Sequence, residues 1–186
     1  MGTLLKPLPV KLITGLISGN SALFTKTQKI LVKKFGAIDI VSPIFAFDKT
    51  DYYEKEMGKG LKRIFVSFER LVEPCGLAAI KCFTNRLEKR LSAGQAKRTV
   101  NIDPGYVSLS KLVLATTKSY VHRIYVANGI FVEITLSYKN DTFQPGSLTY
   151  PDYRTESHIT FFNEVRDKYY KQIEKKYGLS QLYRCV

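Results

Sequence analysis

The sequence predicts a single α+β domain over its 186 residues. Two patterns carry this prediction: short apolar, β-branched stretches that are typical of strands, and longer stretches whose apolar residues recur at helical spacing. Over residues 1–107 the elements follow the order β-α-β-β-α-β, the split βαβ order of a ferredoxin-like antiparallel sheet. A β-hairpin and a C-terminal helix in residues 108–186 extend this core.

The first half of the predicted core contains three strands and a helix. Residues 10–17 are apolar and β-branched, which favours a strand. The helix begins near Ser21, a residue type that caps helices, and ends at Gly36. Residues 38–47 form the second strand, and residues 62–68 alternate between two faces, as a third strand does.

The second half of the core adds a helix and a strand. Residues 77–91 form the helix, with cations near its C-terminal end, where they suit the helix dipole. Residues 99–103 form the fourth strand, which the turn dipeptide Pro104-Gly105 ends. Residues 108–115 are predicted to form one or two helical turns.

A β-hairpin follows, with strands over residues 120–127 and 130–138. Its turn is Asn128-Gly129, the strongest short hairpin signal, because both central residues of a type I′ turn need a positive φ. Residues 139–155 form a long loop. Residues 156–177 then show apolar side chains at helical spacing and form the final helix.

The register of this hairpin predicts which polar side chains meet. A two-residue turn pairs Ile124 with Glu133 and His122 with Thr135, so Glu133 and His122 share one face of the sheet. Arg123 lies on the other, apolar face. We therefore expect Arg123 either to reach out past the sheet or to meet a carboxylate inside it.

Composition favours an anionic partner. The chain carries 29 Lys and Arg against 16 Asp and Glu, a net charge of +13, which suits binding of a nucleotide or RNA. The alternative is that the charge serves solubility or reflects a lysine-rich proteome. Neither a protein partner nor an oligomeric state is predicted.

Cysteine usage and hydropathy predict a cytoplasmic protein. The three cysteines are odd in number and lack C-x-x-C spacing, so we expect neither a disulfide framework nor a zinc site, and no metal or cofactor is assigned. This usage fits a reducing compartment. No apolar run approaches the ~20 residues of a membrane span.

Three residues are candidates for catalysis: Asp103, His122 and Glu133. A carboxylate beside a histidine orients the imidazole and raises its pKa, which suits a general acid or base. Asp103 stands at a predicted strand end, where binding loops tend to be built. The alternative interpretation is a polar sheet face and a simple turn.

A phosphate cradle is the interpretation of Thr116-Thr117-Lys118, which combines two hydroxyls with an ammonium group. Two further clusters mix acids, tyrosines and cations, around residues 48–63 and 150–154. The candidate ligand-binding residues are Asp51, Tyr52, Tyr53, Lys62, Arg63, Lys111, Thr116, Thr117, Lys118, Arg123, Asp152, Tyr153 and Arg154. We expect Asp103, Thr117, Lys118 and either His122 or Arg123 to border one depression, with residues 51–56 or 150–155 as its rim.

Familiar catalytic motifs are missing from the sequence. It contains no G-x-x-x-x-G-K-[ST] P-loop, no G-x-G-x-x-G and no H-E-x-x-H. His158-Ile159-Thr160 matches the H-x-T element of two-histidine phosphoesterases, but a second such element is missing.

A series of strings along residues 6–177 resembles one family. The strings are FDKTDYYEKEMG, LKRIFVSFERL, NIDPGY, KLVLATTK, HRIY and YPDYRT. They resemble the domain of unknown function 4416, an uncharacterised bacterial family. This resemblance implies a stand-alone, cytosolic bacterial protein and assigns no catalytic residues. A GTP-binding label has been attached to some members, whereas this sequence has no P-loop.

Three functions follow as expectations. The first is binding of a phosphate-bearing ligand, a nucleotide or RNA. The second is an enzyme that acts on an anionic or phosphorylated small molecule through Asp103, His122 and Glu133. The third is a protein-interaction module that docks a partner through its tyrosine-rich loops.

Overall fold

The computed structural model describes residues 6–95 and 97–178, and within them the fold is α+β, with a nine-strand antiparallel sheet and four helices. The strands are β1 (Val10–Ser18), β2 (Ile38–Val41), β3 (Phe45–Ala46), β4 (Lys62–Val72), β5 (Asn101–Val107), β6 (Lys111–Thr116), β7 (Ile124–Ala127), β8 (Ile130–Lys139) and β9 (Thr142–Pro145). The helices are α1 (Ser21–Phe35), α2 (Glu54–Met57), α3 (Leu77–Leu91) and α4 (Glu156–Tyr177). Short 3₁₀ turns occupy Pro74–Gly76 and Pro151–Arg154.

The strand order is β2-β4-β1-β5-β6-β8-β7, with β3 paired to β4 and β9 paired to β8. Strand β1 lies inside the sheet and is buried along its whole length, which explains why apolar residues occur on both of its faces. Helices α1 and α3 cover one face, where Leu31 and Leu87 pack against Leu12. Helix α4 covers the other face, where Phe162 packs against Phe65.

The long helices lie where helical spacing predicts them, over Leu77–Leu91 and Glu156–Tyr177. The first helix also ends before Gly36, but its cap is Asn20 rather than Ser21, since the Asn20 side chain accepts a hydrogen bond from the Ala22 N–H at 3.0 Å. The predicted second strand is divided into β2 and β3. Pro43 lies between them and has no N–H to continue a ladder.

The prediction of a turn at Pro104-Gly105 is wrong, because β5 continues through both residues to Val107. Strand β6 pairs with β5 only from Gly105 onward, so the missing N–H of Pro104 need not interrupt that ladder. Position 105 requires glycine because the backbone of β6 lies very close to it. A Cβ there would lie 2.4 Å from the Val113 carbonyl oxygen.

The predicted helical turns over residues 108–115 are also wrong, because this segment forms strand β6. Leu112 and Leu114 pack toward α4, while Val113 and Ala115 pack toward α3. A strand that is buried on both faces lacks alternation and cannot be told from a short helix by its period alone. Strand β6 therefore returns the chain to the end of the sheet at which β5 begins.

The Asn128-Gly129 turn is confirmed, with φ values of 54° and 73°. The predicted register is wrong: Tyr125 pairs with Phe131, and an irregularity between Tyr125 and Ala127 shifts the pairing. His122 and Arg123 precede β7 rather than belonging to it. The predicted long loop is wrong as well, since it contains β9 and the 3₁₀ turn at Pro151–Arg154.

A helix needs about 20 mostly apolar residues to cross a bilayer. Among residues 6–95 and 97–178, no helix has both the length and the apolar character that a membrane span needs.

Candidate functional site

A cavity opens at the end of the sheet where β4, β5 and β8 begin and β6 ends, and its volume is about 80 Å³. Its lining residues are Phe47, Tyr53, Arg63, Asp103, Leu114, Ala115, Thr116, Lys118, Arg123, Glu133, Tyr150, Asp152 and Tyr153. One water needs at least about 10–15 Å³ of such space. The cavity therefore has room for one small group, such as a phosphate or carboxylate, but not for a whole nucleotide.

Arg63 is the central cation of this cavity. It lies near the start of β4, and its side chain is only 4% exposed. The guanidinium contacts the buried carboxylate of Asp152 and lies 4.8 Å from the Phe47 ring centroid and 5.1 Å from that of Tyr153. Among the described residues, its Nε has no hydrogen-bond partner. A buried donor without an acceptor is unfavourable, so this wall is suited to an anion.

Tyr153 adds a hydroxyl group to the same wall. Burial raises its pKa to about 12, and the neighbouring carboxylate of Asp103 adds to the rise, whereas Arg63 opposes it. The hydroxyl therefore stays protonated at neutral pH and can donate a hydrogen bond to a ligand.

Asp103 lies opposite this wall, near the start of β5. Lys81 of α3 donates to its Oδ1 at 3.0 Å, and the Asn101 side-chain amide donates to its Oδ2. Burial acts to raise the pKa of Asp103, but the positive charges of Lys81 and Arg63 outweigh burial, and the pKa lies below its ordinary value. Asp103 is therefore ionised at neutral pH and is a poor general acid.

Sequence reasoning missed Lys81, although a signal for it exists. Lys81 falls on the same helical face as the buried Leu77, Ala78 and Thr84, where a lysine is unusual. Its Nζ also donates to the Ile102 carbonyl at 3.1 Å.

A second group of missed residues holds the start of β5 in place. Glu88 of α3 accepts from the Ile102 N–H at 2.6 Å, and Arg98 donates to both Glu88 and Asn101. Arg98 also donates to Glu56 of α2 at 2.7 Å. Burial raises the pKa of Glu88, although Lys81 and Arg98 oppose that rise. This network connects the segment around α2 to the strand that carries Asp103.

The Glu133 carboxylate of β8 contacts two side chains that precede β7, Arg123 and His122. Its Oε2 accepts from Arg123 Nε at 2.6 Å and lies 3.1 Å from His122 Nε2. The prediction that Arg123 and Glu133 lie on opposite faces is wrong. The shifted register and the turn before β7 place the Arg123 guanidinium against the Glu133 carboxylate. Of the two expectations for Arg123, the structure shows the second, a carboxylate that meets it inside.

His122 opens away from the cavity. It borders a neighbouring groove with Ile124, Val132 and Ile134, and Glu133 borders both the groove and the cavity. His122 and Asp103 therefore do not face one ligand. Among the described residues, His122 Nδ1 has no hydrogen-bond partner.

Lys118 lies at the mouth of the cavity. Its ammonium group contacts the Tyr52 hydroxyl and lies 3.7 Å from the centroid of the Tyr52 ring. The Lys118 N–H donates to Thr116 Oγ1 at 3.2 Å, which turns the chain at the end of β6. Tyr53 and Tyr150 also line the cavity, so the segments 51–56 and 150–155 both border it.

The structure brings many of the sequence candidates to one cavity. They are Tyr53, Arg63, Asp103, Thr116, Lys118, Arg123, Glu133, Asp152 and Tyr153. Asp103 meets Thr116 and Lys118 because the β5–β6 pairing returns the chain, and not through the short helix that the sequence predicts.

Other candidates do not line this cavity. They are Asp51, Tyr52, Lys62, Lys111, Thr117, His122 and Arg154. Lys62, Asp51 and Thr117 are exposed. Arg154 donates to the carbonyl groups of Gly146, Ser147 and Thr149 and so braces the loop before α4.

Metal sites in proteins need several ligating side chains close together. Within residues 6–95 and 97–178, no three His, Cys, Asp or Glu side chains lie together in a way that could hold a metal ion.

Residues 8–169 match the family described as Domain of unknown function (DUF4416). The chain belongs to this family. This confirms the family that the sequence strings indicate, and the matched range includes every residue that lines the cavity. No curated protein matches the chain, and no solved structure matches it.

Proposed function

We propose that this protein binds a phosphate-bearing ligand and holds the phosphate group in the cavity beneath Arg63. The observation that carries the proposal is the buried Arg63 guanidinium, whose Nε lacks an acceptor among the described residues while the side chain lines a cavity of phosphate size. A guanidinium presents several donors in a fixed plane, which matches a phosphate or carboxylate better than an ammonium group does.

The charge balance of the lining supports an anion. Three carboxylates line the cavity, and each already faces a cation: Asp152 faces Arg63, Asp103 faces Lys81, and Glu133 faces Arg123. In the described part of the chain, no carboxylate pairs with Lys118, whose ammonium group contacts Tyr52 instead. An incoming anion therefore meets one cation that no carboxylate neutralises.

The small volume narrows the ligand class. A terminal phosphate can enter while the remainder of the molecule lies at the mouth, near Tyr52 and Tyr150. This geometry favours a nucleotide, or an RNA end that carries a phosphate, over the internal backbone of a long RNA, because internal phosphates are flanked by chain on both sides.

An enzyme acting on such a molecule is the second candidate. The contact between His122 and Glu133 favours it, because a carboxylate-bound imidazole is a common general base. Against it, His122 faces the neighbouring groove, and the pKa of Asp103 is held below its ordinary value. The interaction-module alternative has less support, since Tyr153 is buried and its ring is therefore not available to a partner.

Two broader proposals accompany the site. The core of β1, α1, β2, β4, α3 and β5 is ferredoxin-like, which is supported by β4 lying between β1 and β2, as the split βαβ order requires. The protein is cytoplasmic, which is supported by the exposed free thiol of Cys75, because exposed thiols persist in reducing compartments.

Thermal unfolding of the full chain tests the binding proposal. The probes are inorganic phosphate, AMP, GMP, and one short RNA with and without a 5′-phosphate. A ligand present at 100 times its Kd should stabilise the protein by about 2.7 kcal/mol. We expect stabilisation by the phosphate-bearing probes, weaker stabilisation at higher salt, and a preference for the 5′-phosphorylated RNA.

Two variants distinguish binding in the cavity from nonspecific attraction of an anion to the positively charged surface. Lys118→Ala removes a cavity cation and should weaken binding about tenfold or more, which corresponds to about 1.4 kcal/mol. Lys62→Ala removes the same charge from an exposed position next to Arg63 and should leave the affinity unchanged within about twofold. Equal losses in both variants, or no stabilisation by any probe, would contradict the proposal.

A further inference from the structure

Helices α1 and α3 carry more than half of the net positive charge of the chain. Each has 15 residues, and together they contain eight Lys and Arg against one carboxylate, Glu88, which leaves +7 of the chain's +13. Helix α4 has 22 residues, yet its five cations are offset by four carboxylates, which leaves +1. A composition that is merely rich in lysine would charge all three helices alike. The uneven distribution instead indicates a surface for an anionic partner.

Seven of the eight cations are exposed on the outer side of this helix pair, whereas the eighth, Lys81, is buried against Asp103. The helices are direct neighbours, because the Phe35 ring of α1 lies 5.5 Å from the Phe83 ring of α3. The exposed cations therefore form one continuous surface, which we call the α1/α3 face. Its members are Lys26, Lys29, Lys33, Lys34, Arg86, Lys89 and Arg90.

Helix stability does not account for all of these cations. The helix dipole favours the two cations in the last turn of each helix. Lys26, Lys29 and Arg86 lie outside the last turns. Lys29 also follows Lys26 by three positions and precedes Lys33 by four, spacings at which like charges repel each other along a helix. The sequence thus keeps an unfavourable concentration of charge on this surface.

The charges of the α1/α3 face are not neutralised by the protein. Among residues 6–95 and 97–178, none of the seven side chains forms an ion pair. The carboxylate of the helix pair, Glu88, is buried and pairs with Arg98. Several unpaired cations spread over a surface attract an extended polyanion more strongly than they attract a single small anion.

The uncharged side chains of the α1/α3 face identify the kind of polyanion. On α1 and α3, which the structure describes in full, Val32 is the one exposed large apolar side chain, at 39%. A helix that lies on a membrane inserts apolar side chains into it, and the centre of a protein interface is enriched in aromatic residues. Proteins that bind single-stranded nucleic acid stack aromatic rings on the bases. The α1/α3 face has cations alone, which suit the phosphates of a duplex.

The dimensions of the face fit a duplex. Helix α1 is about 22 Å long at 1.5 Å per residue. The axes of packed helices lie about 8–10 Å apart, and the major groove of B-DNA is about 12 Å wide. Two rows of long cationic side chains at that separation can therefore contact the phosphates of both strands that border one groove.

We infer that the α1/α3 face binds the sugar–phosphate backbone of a double-stranded nucleic acid. Phosphate contacts of this kind position a protein on a duplex and read no sequence. None of the seven cations lines the cavity beneath Arg63, which has room for one small group only. The inference therefore goes beyond the proposed function and does not depend on it.

Fluorescence anisotropy of labelled duplexes tests the inference on the full chain. The probes are RNA and DNA duplexes of one sequence, about 20 base pairs or roughly two helical turns long. Their 5′ ends carry hydroxyl groups, so that the cavity does not contribute. We expect a Kd of about 1–100 μM at physiological salt, and on DNA a slope of log K against log salt of about −0.9 for each phosphate contacted. Comparison of the two duplexes decides which form is preferred.

A triple variant tests the face directly. Lys26→Gln, Lys29→Gln and Lys33→Gln together remove three outward charges, and glutamine has nearly the helix propensity of lysine. The salt slope on DNA should become shallower by about 2.7, which is three contacts at about 0.9 each. Binding at low salt should weaken about tenfold or more. Stabilisation by inorganic phosphate should persist, because none of the three residues lines the cavity.

A second triple variant controls for net charge. Lys49→Gln, Lys139→Gln and Lys171→Gln remove three charges from exposed positions outside the α1/α3 face, so both triple variants carry +10 instead of +13. This control should keep the wild-type salt slope to within about 0.5. Circular dichroism melting verifies that both variants are folded.

Four results would overturn the inference. They are no binding of either duplex at low salt, equal changes of slope in the two triple variants, tighter binding of a single strand than of the duplex, and binding to phosphatidylserine vesicles without binding to a duplex. Duplex binding with the expected slopes, together with no stabilisation by phosphate, would support this inference and contradict the proposed function of the cavity.

Discussion

Lys11 and Arg63 are both buried cations on the neighbouring strands β1 and β4, at opposite ends of the sheet. Lys11 is fully buried, and its ammonium group donates to Asp39 and to Gln172 Oε1, the latter at 2.9 Å. Arg63 contacts Asp152 but keeps a donor without an acceptor among the described residues, next to a cavity. The Lys11 ammonium group thus has acceptors for its hydrogen bonds, whereas the Arg63 guanidinium keeps a donor that a ligand could use.

The Lys11 cluster fastens α4 to the sheet. Gln172 comes from α4, Asp39 from β2, and Ser67 of β4 donates to the second Asp39 oxygen. Burial lowers the pKa of Lys11, although the charge of Asp39 opposes this change. These contacts hold α4, β2 and β4 in position, and they leave the Lys11 ammonium group no role in binding a ligand. The open arrangement at Arg63 is what distinguishes a candidate site from a structural ion pair.

Asp39→Ala should have the largest effect on stability. It leaves Lys11 buried without its counter-ion, and removal of one partner from a buried pair costs about 3–5 kcal/mol. Lys11→Met should cost less, because Asp39 retains Lys168 at 3.7 Å and the Ser67 hydroxyl. Urea unfolding of both variants measures the difference, and phosphate binding should survive in both. A larger loss for Lys11→Met would contradict the proposed division of roles.

Arg63→Met should have the next largest effect on stability, a loss of about 3 kcal/mol, because it leaves the buried Asp152 carboxylate without its counter-ion. The double variant Arg63→Met with Asp152→Asn should recover most of that stability and should still not bind phosphate. Calorimetric titration with phosphate checks this separation. Restored binding in the double variant would show that Arg63 is structural, as Lys11 is.

His158 should make stability depend on pH. Burial, together with the positive charge of Arg63, lowers its pKa from the ordinary 6.5 to about 4. The folded state therefore prefers the neutral ring, so this contribution is complete above pH 6.5 and is lost as the pH falls from 6.5 to about 4. The loss amounts to about 2–3 kcal/mol.

Unfolding of His158→Gln across the same pH range provides the comparison, since this variant cannot titrate at residue 158. Its stability should fall less than that of the wild type between pH 6.5 and 4. In Arg63→Met, an NMR titration should show a higher His158 pKa, because one cause of its depression is removed. Parallel stability profiles for wild type and His158→Gln would count against this account.

Lys118→Ala should have the smallest effect on stability. Its ammonium group lies at the cavity mouth against an exposed tyrosine, and such surface contacts contribute within about 0.5 kcal/mol. Urea unfolding should therefore give nearly the wild-type midpoint, although phosphate affinity falls. A loss comparable to that of Asp39→Ala would identify Lys118 as structural.

Local pattern determined much of the fold. The bounds of α3 and α4 follow from helical spacing, and the Asn128-Gly129 turn follows from its requirement for positive φ. Local clustering of polar residues also indicated much of the cavity lining, since Tyr53, Arg63 and Lys118 stand within short polar segments. These features depend on residues near one another in the chain, where spacing and backbone preference act directly.

Tertiary structure alone decided how those pieces meet. Strand β6 replaces the expected helix because neighbours bury it on both faces, and the shifted register of β7 and β8 joins Arg123 to Glu133. Lys81 reaches Asp103 from a helix 22 residues earlier in the chain. Strand pairing and burial depend on partners far away in the chain, and no local period encodes which partner will arrive.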